Sequence, residues 1–419
     1  MSLRRLRWWI VALICVGTIL NYLARNSLGV LAPELMAQLH FSTREYSWVV
    51  ASFQLAYTLM QPICGAIIDG LGLKVAFALF ALAWSLSNMA HGLAGGWMSL
   101  AFFRGLLGVS EAAAIPAGVK AVGEWFPARD RSVAIGYFNA GTSLGALIAP
   151  PVVIWLSLSY GWRASFVATG AVGLIWALAW YLLYDPPSRH PALSATERAL
   201  APGPVSTGDE AAVPIAALLR QRVFWALAIP RFLAEPAWQT FSFWIPLYLA
   251  RERGMDLKHI ALFAWLPFLA ADAGGILGGY LSPFLMKRLR LGLLSSRATG
   301  VAMAALLMIA PGCVGLAVNP YVAIALFCIG GFAHQVISVL INTLTTDVFP
   351  QRSVARANGL VGMFGWSGGL VFSLLVGALA DSVGFAPLFS LLAVFDIVGA
   401  MVLFALLRPR QLDLRGAYA

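Results

Sequence analysis

Arg25 follows Asn21 by one helical turn within a long apolar run, and no acid lies within four residues of it. Such an arginine suits a planar carboxylate, to which a guanidinium donates two parallel hydrogen bonds. The plainer readings are a pairing with an acid on another helix, or snorkelling to an interface. Tyr57 and Gln61 are again one turn apart and offer a phenol and an amide to one point, a pair able to read sugar hydroxyls. Otherwise Gln61 only satisfies backbone near Pro62. Arg104 and Glu111 lie two turns apart on one face. They form either a fixed ion pair that sets helix registry or a carboxyl that loads and releases a proton. Arg231 and Glu235 have the i, i+4 spacing of an intrahelical pair, with Pro230 and Pro236 on either side and Trp238 beyond. Two readings stand equal there: a self-neutralised pair stiffening a kinked helix, or a site whose indole stacks on a pyranose. His334, Asn342, Asn358 and Trp366 complete the polar and aromatic groups at such depths. A lone histidine in an apolar helix is more often a satisfied hydrogen-bonding group than a proton carrier.

The elements that hold these residues are apolar throughout. Of 419 residues, 60% are hydrophobic and 11% charged, against roughly 45–50% and ~25% in soluble domains. A single core could not absorb so much apolar surface. The formal charge of +10 does not indicate nucleic acid, because Lys and Arg form no dense basic tract interleaved with aromatics. Cys15, Cys64, Cys313 and Cys328 lie in apolar runs without CxxC spacing, so neither a disulfide framework nor a zinc site is expected. No GxxxxGK[ST] sequence supports nucleotide-driven chemistry.

A membrane-crossing helix needs ~20 apolar residues. Twelve such stretches are expected, starting near Trp9, Tyr46, Val75, Trp97, Ser132, Ala164, Val223, His259, Ala298, Tyr321, Val354 and Ala386. The first is not a cleavable signal, since no small-residue cleavage site follows it. The fold class is therefore an all-α membrane protein with twelve transmembrane helices. The expected division is a six-helix bundle over 1–184, a Pro/Ala/Ser/Thr-rich cytoplasmic linker over 185–218, and a second six-helix bundle over 219–419. Basic residues cluster on one side, at Arg4, Arg5, Arg7, Lys74, Arg129, Arg131, Lys287, Arg288, Arg290, Arg352 and Arg408. Only Arg44, Arg163, Arg251, Arg253 and Lys258 fall on the other, which places both termini in the cytoplasm.

The two halves repeat. Arg-Ser-Val-Ala occurs at Arg131–Ala134 and again at Arg352–Ala355, each preceded by Phe-Pro and followed by a glycine-rich helix. Gly161-Trp162 before the sixth span matches Gly384-Phe385 before the twelfth. Parallel six-helix repeats are a standard transporter architecture.

The stretch Gly65-Ala-Ile-Ile-Asp69-Gly-Leu-Gly72-Leu-Lys74 resembles the loop signature of the major facilitator superfamily. Asn21-Tyr-Leu-Ala-Arg25-Asn26, Ala56-Tyr57-Thr-Leu-Met-Gln61-Pro62, Glu111-Ala-Ala-Ala-Ile-Pro116 and Glu124-Trp-Phe-Pro127 resemble its anion:cation symporter branch. Pro230-Arg231-Phe-Leu-Ala-Glu235-Pro-Ala-Trp238, Gly330-Gly-Phe-Ala-His334-Gln335 and Gly377-Ala-Leu-Ala-Asp381 are similar to segments of bacterial hexuronate transporters. The resemblance implies two pseudo-symmetric bundles in the major facilitator fold and no enzymatic activity. It implies a carrier importing glucuronate or galacturonate with protons, by alternating access, in the bacterial inner membrane.

On that resemblance the substrate residues are Asn21, Arg25, Tyr57, Gln61, Arg231, Trp238, His334, Asn342, Asn358 and Trp366, and the proton residues Glu111, Arg104 and Glu235. Asp69, Lys74, Glu124 and Arg129 form a conformational charge latch, the plainer alternative being a solvated loop. The partners implied are a sugar-acid anion, protons and the lipid bilayer. A monomer is expected, with no nucleic acid, no metal and no cofactor beyond the proton gradient. Another sugar acid or organic anion, such as an aldonate, is the alternative substrate. Export is disfavoured because Gly145 and Pro150 are separated, leaving no Gly-Pro antiporter motif in the fifth span. The branch often has an Asp where Ala24 stands, so one of two family proton sites is missing and a one-to-one, electroneutral cycle is expected.

Overall fold

The computed structural model describes residues 6–193, 198, 213–255, 259, 263 and 265–408. Most of the 185–218 linker, Arg4, Arg5 and Lys258 lie outside the described residues. Among those described, regular structure is helical throughout. The long helices are α1 (Leu6–Gln38), α2 (Thr43–Leu71), α3 (Leu73–Ala90), α4 (Trp97–Trp125, opened by a turn at Ala112 and Ala113), α5 (Arg131–Tyr160) and α6 (Trp162–Leu183). They continue with α7 (Arg222–Gln239), α8 (Leu266–Leu289), α9 (Leu293–Leu307), α10 (Pro320–Val348), α11 (Val354–Val383) and α12 (Phe385–Leu407). Among the described residues, eleven helical stretches are long and apolar enough to cross a membrane. α7 is the exception; it carries Arg231 and Glu235 and runs on through a π-helical stretch, Thr240–Trp244, into Ile245–Arg251.

The expected starts hold to within a few residues where they can be read. For the eighth span, expected near His259, the described helix runs from Leu266, with Pro267 in its first turn, and most of 256–264 lies outside the described residues. The boundaries follow local chemistry. Ser42 caps α2, its hydroxyl accepting from Glu45 N at 3.3 Å while Glu45 Oε2 accepts from Ser42 N at 2.7 Å. Gly161 (φ 83°) and Gly384 (φ 79°) turn the chain into α6 and α12 in a conformation that a side chain would strain. These are the paired glycines of the sequence repeat. Each Arg-Ser-Val-Ala segment likewise lies where a 3₁₀ turn, Ala128–Asp130 or Gln351–Ser353, leads into a long helix.

The chain groups into two units. The first comprises Met1–Pro127, Phe138–Ala212 and Pro350–Gly359. Its helices pack through small residues, with Gly141 and Gly145 of α5 against the Cys15 and Ile19 carbonyls of α1. A column of stacked rings, Trp84, Trp176, Trp180 and Tyr184, ties α3 to α6. The second unit comprises Ala128–Tyr137, Val213–Phe349 and Leu360–Ala419. There Gly274 and Gly278 of α8 lie against Phe332 and Val336 of α10, and Gly399 of α12 lies against Pro230 of α7.

Candidate functional site

In the first unit, Arg25 is the centre. α1 places it one turn below Asn21, whose Oδ1 accepts from Arg25 Nη2 at 3.4 Å. Arg25 Nε donates to Glu111 Oε2 at 2.9 Å, although 86 residues separate them. The Glu111 side chain is fully buried, that of Arg25 is 12% exposed, and Glu111 Oε1 has no hydrogen-bond partner. The acid that Arg25 lacks within four residues is therefore supplied by α4. Close packing makes this reach possible, because Gly108 lets α4 approach the Phe53 carbonyl of α2.

Aromatic rings box the guanidinium. Its centre lies 4.3 Å from the Tyr22 ring, 4.5 Å from that of Tyr57 and 5.2 Å from that of Phe53. Such stacking fixes a planar cation while leaving its edge to make in-plane hydrogen bonds. Arg104 does not bond to Glu111. Its Nη2 donates to the Arg25 backbone carbonyl at 2.8 Å, and its guanidinium lies 5.2 Å from the other side of the site, the Phe53 ring. Gln61 is buried, one turn beyond Tyr57 on α2, and its backbone carbonyl abuts Gly359, the residue after buried Asn358. Tyr22 and Phe53 were not singled out from the sequence; Tyr22 stands beside Asn21 in the quoted motif, whereas nothing local marks Phe53.

In the second unit, Arg231 Nη2 and Glu235 Oε2 form the i, i+4 ion pair at 2.8 Å. Trp238 stacks on His334 of α10, with ring centroids 5.7 Å apart, and packs edge-on against Phe268. His334 and Asn342 are buried on α10, and Trp366 of α11 is half-buried. Gly365 and Gly369 of α11 leave room for the Arg231 and Glu235 side chains. Arg231, Glu235, Trp238 and His334 thus form one group.

The four residues expected as a latch have different partners from one another. Asp69 Oδ1 accepts from Lys120 Nζ at 2.6 Å, and its Oδ2 accepts from the Arg356 backbone N–H at 2.8 Å. Lys74 pairs with Asp185 at 2.8 Å, and Glu124 accepts from the Tyr184 hydroxyl at 2.7 Å. Arg129 reaches only its neighbour Asp130, at 3.7 Å and exposed. Sequence spacing gives no sign of Lys120 as the counter-ion of Asp69. In the second unit, buried Asp347 similarly serves both Arg131, at 3.1 Å, and Arg297.

Comparison with known proteins gives the same architecture. The Major Facilitator Superfamily model matches residues 14–312 and 290–417. The chain is 49% identical to the "Hexuronate transporter" of Escherichia coli (strain K12) over 415 residues, covering 98% of this chain and 96% of that protein. It is 47% identical to the "Galacturonate transporter" of Dickeya chrysanthemi over 332 residues, covering 77% of this chain and 95% of that protein. Among solved structures, the E. coli fucose:proton symporter superposes with a TM-score of 0.71 at 16% identity, over 96% of this chain and 99% of that one.

Proposed function

The chain belongs to the Major Facilitator Superfamily, and from that premise we propose that it imports hexuronates, glucuronate or galacturonate, together with protons. It is a multi-pass membrane transporter and not an enzyme. The two relatives named for hexuronate and galacturonate support the substrate class. The observation that carries the coupling is the buried Arg25–Glu111 pair inside its aromatic box.

One guanidinium there serves two carboxylates. While Glu111 is ionised it neutralises Arg25 and competes with an incoming sugar acid. Protonation of Glu111 removes that competitor, and the freed Arg25 edge takes the substrate carboxylate. Asn21, Tyr57 and Gln61 supply donors and acceptors for sugar hydroxyls on the same side. Once the alternating-access cycle exposes the loaded site to the less acidic cytoplasm, Glu111 loses its proton, reclaims Arg25 and expels the sugar acid. Proton and anion are thereby bound together and released together. Arg231, Trp238, His334, Asn342 and Trp366 of the second unit, and Asn358 of the first, complete substrate recognition in this reading. Arg104 holds the Arg25 backbone and so positions the pair. Asp69, Lys74, Glu124 and Arg129 tune the conformational cycle. The carrier works as a monomer in the bacterial inner membrane, with both termini cytoplasmic and the proton gradient as its energy source.

Uptake into proteoliposomes tests this reading. An inward-directed proton gradient should drive accumulation of glucuronate or galacturonate above the equilibrium level, and aldonates should compete weakly. Strong accumulation of an aldonate with no hexuronate uptake would replace the substrate assignment.

A further inference from the structure

The second unit contains a buried acid for which the functional reading so far has no use. Asp396 lies in the middle of α12, is 4% exposed, and its Oδ2 has no hydrogen-bond partner. Gly399, one turn further on the same face, brings α12 against α7: a Cβ there would stand 3.2 Å from the Cα of Pro230. Asp396 therefore faces the turn of α7 that carries Arg231. Arg231 is the charged side chain of that turn. Arg231 has an unused donor, since Nη1 is buried without a partner while Nη2 holds Glu235.

The surroundings add no further compensation. On α7 the only other described charge is Arg222, which is bonded to the Ala405 carbonyl at the far end of α12. α9 brings Arg297, which is committed to Asp347. Glu252 sits at the opposite end of α12 and accepts from the Phe385 N–H. From α10, buried His334 stacks on Trp238, two turns beyond Arg231 on α7. One guanidinium thus stands between two carboxylates in the apolar interior. With both acids ionised the group carries a net negative charge, which the membrane interior disfavours. Binding one proton makes it neutral.

We propose that Asp396 is a second proton site of the carrier, alternating with Glu235 as the partner of Arg231. While Arg231 holds Glu235, the proton resides on Asp396. When Arg231 turns to Asp396, that proton passes to the Glu235 carboxyl; when Arg231 returns, Glu235 releases it to the cytoplasmic side and Asp396 takes up a new one from the outside. No charge is created or lost within the group at this step. Pro230 and Pro236 interrupt the hydrogen-bond ladder of α7 on both sides of the pair, and so give the helix the freedom this switch needs. Coupling to transport rests on the proposed role of the Arg231 segment in substrate recognition.

The inference changes the expected charge balance. Glu111 alone would move one proton with one monoanion, which transfers no net charge. A second proton through Asp396 makes each cycle carry one positive charge inward. The full-length protein in proteoliposomes, clamped with potassium and valinomycin, reads this directly. The wild-type protein should accumulate about 50-fold more galacturonate per 100 mV of inside-negative potential at fixed pH gradient. Asp396→Asn should lose that gain, and Asp396→Glu should restore it. Wild-type uptake that follows the pH gradient but ignores the potential would overturn the second site, whatever the variants do. So would a full response to the potential in a folded Asp396→Asn protein. Absence of any pH-driven hexuronate uptake by the wild-type protein would instead refute the proposed function itself.

Discussion

Replacing Glu111 by Gln removes the charge that holds Arg25 and little else, because the amide has the shape of the protonated acid. In the wild-type protein an incoming sugar acid must displace a buried, charge-assisted hydrogen bond of 2.9 Å. Such a bond contributes about 1.5–3 kcal/mol net. At a pH where Glu111 is ionised, its loss should therefore tighten substrate binding by about ten- to a hundredfold. The sign is fixed by the competition: wild-type affinity falls as pH rises, because ionisation of Glu111 restores the competitor, whereas Glu111→Gln affinity should stay flat. Titration calorimetry on purified protein at two pH values, one acidic and one alkaline, measures both quantities. Proton-driven accumulation by the variant should fall to what the proposed Asp396 site alone sustains, and exchange of labelled for unlabelled substrate should persist. Unchanged alkaline-pH affinity together with normal pH-driven accumulation would refute the argument.

Arg25→Lys keeps the charge but loses the planar fork and its stacking between Tyr22 and Tyr57, so binding should weaken by about 1.5–3 kcal/mol in the same calorimetric assay. Asp69→Asn strands Lys120 in a nearly buried position, and removing one partner of a buried pair costs about 3–5 kcal/mol. The thermal denaturation midpoint should drop, and the double variant Asp69→Asn/Lys120→Met should recover part of the loss. Asp347→Asn should lower the midpoint as well, since it leaves the buried Arg131 and Arg297 without their shared counter-ion; a variant as stable as wild type would show that these charges are already compensated.

Local chemistry made much of this molecule legible in its sequence. The apolar runs, the Ser42–Glu45 cap and the repeated Phe-Pro and Gly-aromatic junctions all act within a few residues, so pattern alone located the helices. The same holds for Asn21 with Arg25 and for Arg231 with Glu235, which share a helix face by spacing. Pairs that depend on how helices pack were not legible. Glu111 reaches Arg25 across 86 residues, Lys120 reaches Asp69 across 51, and Arg131 reaches Asp347 across 216. No spacing rule links such positions. Arg25 thus has its acid on another helix, one of the alternatives its spacing leaves open, and Glu111 pairs with Arg25 and not with Arg104. Spacing gives Asp396 no partner, because its neighbour Arg231 is set only by the close approach of α12 to α7 at Gly399 and Pro230. The π-helical stretch after Gln239 also escaped notice, since its residues have no distinctive local signature.

The central claim is that proton entry and hexuronate entry are one event. Uptake of radiolabelled glucuronate and galacturonate into proteoliposomes, with and without an inward-directed pH gradient, tests it most directly. The account predicts transient accumulation above equilibrium only when the gradient is present, collapsing on addition of a protonophore. Equal uptake with and without the gradient would contradict it.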